Sequence, residues 1–333
     1  MRHLLRRVSR LFHDKPTPVI LMYHRIADQP VDPWGLAVTP KHFAEQMEVL
    51  REVRLPLSMN EFVARLEAGT LPRQAVAVTF DDGYIDNLTD AEPILRRAGV
   101  PATIFLATGP LGQKGEFWWD ELARMVFGQR AGVDVEVTID GRPVVMRLPP
   151  LAPDVSAAVN WRAWDPPTSP REQLYVETWR LLRDLKGVVR ADAMKELRNV
   201  FDQGRADPAG LPMTREEVSL ISARGIEVGA HSRSHPRLTT LTPDERRREI
   251  EGSRVECEQL AGRPVKGFAY PYGDRDARTT EMVKDGGFEW ACSTQDTGVN
   301  PEHFDPFDLP RRQVLNWSAS EFAGALRNVR CPE

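Results

Sequence analysis

Short apolar runs rich in β-branched residues recur along the chain. Each breaks into a polar cluster and is followed by a segment whose apolar residues return at helical spacing. Pro18–Tyr23, Val76–Thr79, Pro101–Ala107, the run beginning at Glu227, Gly267–Tyr270, Trp290–Thr294 and Leu309–Val314 read as buried strands. The intervening segments carry helix signals. Thr39 and Pro40 open a helix to about Val53, with Phe43, Met47 and Leu50 as its apolar stripe. Leu57–Glu67 reads as a short strand and a helix capped by Asn60, and Asn87–Ala98 as a helix ended by Gly99. Thr214 and Glu217 form a capping box at the head of Met213–Arg224. Thr242-Pro243 opens a charged helix to Leu260, which reads as a solvated face. Arg275–Gly286 is helical, and Ser318 caps a closing helix to about Arg330. Strand and helix alternate through about seven units, which predicts an α/β fold with a parallel sheet, a distorted (β/α)7 TIM-like barrel.

The rhythm changes over residues 113–211. GEFWWDELARMVF is amphipathic and aromatic-rich, Val133–Leu148 alternates about Asp140-Gly141 as a hairpin does, Pro149–Pro170 is a proline-rich loop, and Gln173–Phe201 is charged and helical. This segment is expected to be an inserted α+β subdomain that shapes substrate choice, with the barrel built from residues 17–112 and 212–333.

Composition narrows the function classes. The chain has 333 residues, an ordinary apolar content and a net charge of −4, so a full core can be buried and no nucleic-acid footprint appears. Cys257, Cys292 and Cys331 are scattered, with no C-x2-C pair; this argues against a disulfide framework and thiolate zinc, and fits a reducing compartment. No secretory signal and no membrane-length apolar stretch is visible, so a cytoplasmic location is expected. Residues 1–16 are basic and amphipathic. Leu4, Leu5, Val8, Leu11 and Phe12 line one helical face among Arg2, Arg6, Arg7 and Arg10. Residues 2–15 can lie weakly on the inner face of an anionic membrane or dock on the domain.

Two strand ends are the candidates for chemistry; taken singly, one reads equally as a solvated Asp-Asp-Gly turn and the other as a surface pair of histidines, and it is their occurrence together that points to a site. AVAVTFDDGY (Ala75–Tyr84) runs from a buried strand into Asp81, Asp82 and Gly83; adjacent carboxylates at such an edge repel, so one needs a cation, a metal or a proton. EVGAHSRSH (Glu227–His235) ends in His231 and His235, four residues apart. Two imidazoles and one carboxylate leave positions open for water, as catalytic divalent-metal sites do. His24 directly follows the first strand, either as a satisfied core histidine or as a functional group.

TFDDG (Thr79–Gly83) together with HSRSH (His231–His235) resembles the polysaccharide deacetylase family, the group sharing the NodB homology domain (carbohydrate esterase family 4). FAYPYG (Phe268–Gly273) is similar to that family's third motif, and VILMYHRI (Val19–Ile26) resembles the opening of its poly-N-acetylglucosamine deacetylase-like branch. The resemblance covers roughly residues 17–112 and 212–316. It implies hydrolysis of an N-acetyl amide on an amino sugar. Asp82, His231 and His235 would hold the metal, Asp81 would be the general base, and the Tyr272 backbone N–H would meet the oxyanion, with Tyr270 and Pro271 in the same motif. The metal expected is Zn2+, with Co2+, Ni2+, Fe2+ and Mn2+ also suited to such ligands.

The sequence departs from the family pattern twice. The third-motif arginine that pairs with the base is replaced by Ala269, which directs attention to Arg311 in LPRR as its substitute or as a surface ion pair. The late leucine-x-histidine motif is absent, and His303 reads as a surface residue; the resemblance to the branch then nominates His24 as general acid. Trp34 and Trp118 are candidate platforms for a pyranose, although aromatic clusters of this kind more often pack helices. The expected partner is an N-acylated amino sugar in a glycan, or a lipid-linked or nucleotide-linked precursor. The competing readings are an amidase removing formyl or another small acyl group, and a catalytically silent glycan-binding module.

Overall fold

The computed structural model describes residues 16–130, 132–150, 161–201 and 208–331. The amphipathic segment 2–15 lies outside the described residues. By packing, the chain divides into two compact units: residues 1–28, 37–112 and 213–333, and residues 29–36 with 113–212. The loop 29–36, expected inside the barrel segment 17–112, thus groups with the second unit, where Ala163 N–H donates to Pro33 O (2.7 Å) and Arg162 Nη1 to Asp32 O (2.9 Å).

The first unit is a parallel sheet wrapped by helices. Its strands are β1 (Val19–Tyr23), β2 (Leu55–Leu57), β3 (Ala75–Phe80) and β4 (Ala102–Leu106). After β5 (Val133–Ile139) and β6 (Arg142–Leu148) of the second unit come β7 (Glu227–Ala230), β8 (Gly267–Ala269), β9 (Trp290–Cys292) and β10 (Arg312–Gln313). The order is β10-β1-β3-β4-β7-β8-β9, with β2 on β3. Leu309 bridges to Cys292 of β9 while β10 pairs with β1, so residues 309–313 link the two ends of the sheet. β1, β3 and β4 are fully buried, which is why they read as unbroken apolar runs rather than alternating ones.

The interior is filled by large rings set against residues with no side chain. Phe105 and Trp290 meet edge to face at 5.8 Å. A Cβ on Gly229 would lie 2.4 Å from Phe105, and one on Gly267 2.1 Å from Trp290. These glycines are therefore conditions of the packing.

Most helix starts follow their sequence signals: Thr39, Thr214, Thr242 and Ser318 all cap as expected. Three details differ. The helix Met59–Glu67 is capped by Ser58, not Asn60, because Ser58 accepts from Glu61 N–H. The segment after β3 starts as a π-turn, Asn87–Ala91, before the α-helix Glu92–Ala98. Gln173–Phe201, expected as one helical stretch, is two helices, Pro170–Asp184 and Gly187–Val200, parted where Leu185 and Lys186 turn extended.

The second unit holds those helices, the helix Trp118–Gly128, and the antiparallel hairpin β5 (Val133–Ile139) and β6 (Arg142–Leu148). Asp140 and Gly141 both have positive φ, the requirement of a type I′ turn. Among the described residues no helix is long and apolar enough to cross a membrane.

Candidate active site

Register brings the expected groups to one edge of the sheet. Tyr23 of β1 is paired with Phe80 of β3, so His24 and Asp81 leave the sheet side by side, and Asp81 N–H donates to Tyr23 O (3.0 Å). Leu106 of β4 is paired with Ala230 of β7, and His231 N–H donates to Leu106 O (2.9 Å). Ala230 in turn pairs with Phe268 of β8, which sets the third motif alongside. All these groups sit at carboxyl ends of parallel strands, where a rigid sheet presents loop side chains.

Asp82, His231 and His235 are buried, and one ligand atom from each lies within 4.8 Å of the others. His235 Nε2 is 3.3 Å and His231 Nε2 3.6 Å from Asp82 Oδ1. His231 Nδ1 lies 2.8 Å from the Ala269 carbonyl oxygen. That acceptor fixes the proton on Nδ1 and leaves the Nε2 lone pair turned toward Asp82. The donor chemistry, two imidazoles and a carboxylate around one point, fits a divalent cation.

Asp81 has a different environment. Arg311 holds it with two parallel bonds, Nη1 to Oδ1 at 2.6 Å and Nη2 to Oδ2 at 2.7 Å. Arg311 is itself fully buried and donates through Nε to Ser293 O (3.0 Å). It stands where residues 309–313 link the sheet ends, opposite Asp81, and is not a surface pair. Burial alone would raise Asp81; Arg311, followed by His231, outweighs it and brings the carboxyl down to about 2. Burial pulls His24 down to about 4, opposed by Asp81 and reinforced by Arg311 and His231, so the resting imidazole is neutral.

Backbone strain gathers here. Of the non-glycine residues with positive φ among the described residues, Asp82 (75°), Ser232 (61°), His235 (51°) and Tyr272 (59°) all line this edge; the remaining one, Asp140, is in the hairpin turn. Gly83 follows with φ 91°, and a Cβ there would lie 2.8 Å from Leu106 Cδ2.

The remaining candidates divide. Tyr272 packs edge-on against His235, with centroids 4.5 Å apart, and Pro271 begins the same short turn. The Tyr270 side chain belongs to the core instead: it is fully buried, and its hydroxyl donates to Phe307 O (3.0 Å). Trp34 and Trp118 are packing residues of the second unit. Trp34 lies 4.2 Å from Trp179, and Trp118 sits between Trp119, Trp179 and the Arg190 guanidinium. Both rings are half-buried in that cluster. His303 is exposed, as expected of a surface residue.

The fold is an α/β half-barrel, a curled parallel sheet wrapped by helices, consistent with the NodB (β/α)7 barrel. The pattern of the polysaccharide deacetylase family matches residues 68–137 and 198–291, and the chain belongs to that family. It is similar to the putative polysaccharide deacetylase YxkH of Bacillus subtilis, 34% identical over 131 residues, covering 38% of this chain and 44% of that protein. It is also similar to the poly-beta-1,6-N-acetyl-D-glucosamine N-deacetylase of Staphylococcus epidermidis, 28% identical over 117 residues, covering 31% of this chain and 40% of that protein. The aligned region thus spans less than half of each of these relatives. Among solved structures, the Streptococcus pyogenes deacetylase PplD in complex with acetate matches with TM-score 0.58 at 18% identity, over 93% of this chain and 99% of that one. IcaB from Ammonifex degensii matches with TM-score 0.57 at 18% identity, over 94% and 97%.

Proposed function

We propose that this protein is a metal-dependent N-deacetylase that releases acetate from an N-acetylated amino sugar of a glycan or glycan precursor. The observation that carries the reading is the division of labour between neighbouring carboxylates. Asp82 faces two imidazoles, while Asp81 is held by Arg311 and kept ionised, its Oδ2 3.9 Å from His231 Nε2. A divalent ion held by Asp82, His231 and His235, Zn2+ being best suited to them, would polarise a water and lower its pKa toward neutrality.

The chain's own residues do the rest. Asp81 takes the proton of the attacking water as general base, and Arg311 keeps it charged and fixed in direction. The Tyr272 backbone N–H is the donor assigned to the developing oxyanion. The amine leaving group needs a proton. His24 is neutral at rest, so it serves as acid only after taking up a proton, which Asp81 supplies once it has accepted one from water. The name of the S. epidermidis relative supports a glycan carrying N-acetylglucosamine as the substrate class.

The test is acetate release from N-acetylated glucosamine oligomers by protein loaded with one equivalent of Zn2+ or Co2+. Metal-dependent release that vanishes in Asp82→Asn is expected. Full turnover by chelator-treated protein would overturn the proposal, and formate release from N-formyl sugars without acetate release would reassign the acyl group.

A further inference from the structure

We propose that Glu249 is a positioning residue that sets the metal affinity of the site, by holding the His231–His235 turn in its binding shape before an ion arrives. This rests on the reading of Asp82, His231 and His235 as ion ligands. The charged helix Pro243–Ala261 is not simply a solvated face. Glu249, Gly252 and Glu256 lie on one side of it, and that side receives the turn.

The contacts are specific. One oxygen of Glu249, Oε2, accepts the successive backbone N–H groups of Arg233 and Ser234, each at 2.8 Å. Its other oxygen, Oε1, accepts the Ser234 hydroxyl at 2.7 Å. Consecutive N–H groups converging on one carboxylate oxygen form an anion-holding nest, and bonds to an ionised acceptor are stronger than neutral ones. The Arg233 side chain runs across Gly252, where a Cβ would lie 2.7 Å from Arg233 Cδ, and reaches Glu256 at 2.9 Å. From the other side, Gly109 N–H donates to Arg233 O (2.7 Å) and Thr108 N–H to Ser232 O (3.3 Å).

The turn needs such bracing. Ser232 and His235 both sit at positive φ, which disfavours the conformation by roughly 1–3 kcal/mol per residue. An unheld turn would relax and carry the His235 imidazole away from Asp82. Part of the binding free energy of an incoming ion would then go into ordering the turn, and affinity would fall. Once an ion is bound, it does the holding itself. A latch of this kind therefore acts on metal affinity more than on the turnover of fully loaded protein.

The experiment measures Zn2+ and Co2+ affinity of the full chain by chelator competition, with thermal unfolding of the metal-free protein alongside. Wild type is compared with Glu249→Ala, Glu249→Gln and Glu251→Ala; the last removes only the ion pair to Arg247 on the same helix. Glu249→Ala is expected to weaken metal binding about 10- to 100-fold. Glu249→Gln, which keeps an acceptor oxygen without the charge, should recover part of that loss, and Glu251→Ala should match wild type. At saturating metal, kcat of Glu249→Ala should return close to wild type. Gly109→Ala provides an independent displacement, because its Cβ would lie 2.8 Å from Arg233 O; it should weaken the ion in the same direction. Unchanged affinity in Glu249→Ala overturns the latch while leaving the metal site standing. A loss that saturating metal does not restore, matched by a lower melting temperature of the metal-free chain, reduces Glu249 to a fold-stabilising role and overturns it too. A wild-type chain that takes up no ion removes the proposed function and the latch together.

Discussion

Arg311 grips Asp81 through both guanidinium nitrogens at 2.6 and 2.7 Å, and the pair is almost wholly shielded from solvent, with side-chain exposures of 0% and 3%. A buried ion pair is no reliable source of stability, since removing two charges from water offsets much of their attraction. Its value here is directional. Ser293 O and Thr79 Oγ1 accept from the same guanidinium, which fixes its plane and thereby the plane of the carboxylate. Asp81 is thus a base of known orientation that stays ionised down to about pH 2. Because the folded pKa is depressed, the pair's contribution to stability is present above the ordinary aspartate value of 3.8 and is lost as pH falls through about 2.

Replacing Arg311 should therefore move the pH dependence of catalysis. In Arg311→Met the attraction is gone while burial remains, so the Asp81 pKa rises and the acid limb of kcat/KM shifts to higher pH. Stability should fall by about 3–5 kcal/mol, the cost of leaving a buried charge without its partner. Arg311→Lys keeps the charge but not the fork, and should shift the limb less. A pH–rate profile with an unmoved acid limb in both variants would show that Asp81 is held by something else.

Asp81→Asn and Asp82→Asn should separate base from ligand. Asp81→Asn is expected to bind metal near wild-type stoichiometry while turnover falls by about 10²- to 10⁴-fold. Asp82→Asn should lose metal and activity together. Metal analysis after gel filtration, paired with acetate release, decides it. A metal-free Asp81→Asn protein would mean that both carboxylates are ligands.

The sheet was legible because its strands are buried on both faces and so read as continuous apolar runs, Val19–Tyr23 and Ala75–Phe80 most plainly. The candidate ligand set was legible because two carboxylates and two histidines stand at the ends of apolar strands, and the family resemblance then singled out Asp82 beside His231 and His235. Arg311 could be nominated only through the missing third-motif arginine at Ala269; its pairing depends on residues 309–313 linking the sheet ends, a tertiary fact. Glu249 had no signal of its own, because one Glu among many on a charged helix looks solvated until the turn it receives is seen. Trp34 and Trp118 show the reverse case. Their chemistry suggested sugar, and their packing against Trp179 and Arg190 from distant segments is a tertiary fact that no local pattern carries.

His24→Ala tests how the leaving amine is protonated. With an amide substrate, kcat should drop by about 10²-fold or more, because the amine leaves poorly without a proton. With an activated acetyl ester, whose leaving group departs as an anion, the same variant should stay within a few-fold of wild type. An equal loss on both substrates would make His24 a structural support of the Asp81 edge rather than the acid.

Asp86 supplies a pH test of the fold around His24. Its carboxylate is buried; it accepts Ile26 N–H (3.1 Å) and Arg25 Nε (3.2 Å), while its neighbour Asn87 donates to the His24 carbonyl (2.8 Å). Burial pushes Asp86 up to about 7 against the pull of Arg25. A raised folded pKa means that the fold keeps a proton the unfolded chain has already shed. The contribution is complete below the ordinary value of 3.8 and is lost as pH rises through about 7, with a slope of at most about 1.4 kcal/mol per pH unit. Asp86→Asn keeps an oxygen for Ile26 and Arg25 but has no proton to lose, so it should match wild type most nearly in acid and gain on it as pH rises toward neutrality. Urea unfolding of both proteins across that window reads the difference directly. A gap that stays constant would mean that Arg25 keeps Asp86 ionised throughout, and that the turn bearing His24 is clamped by a permanent ion pair.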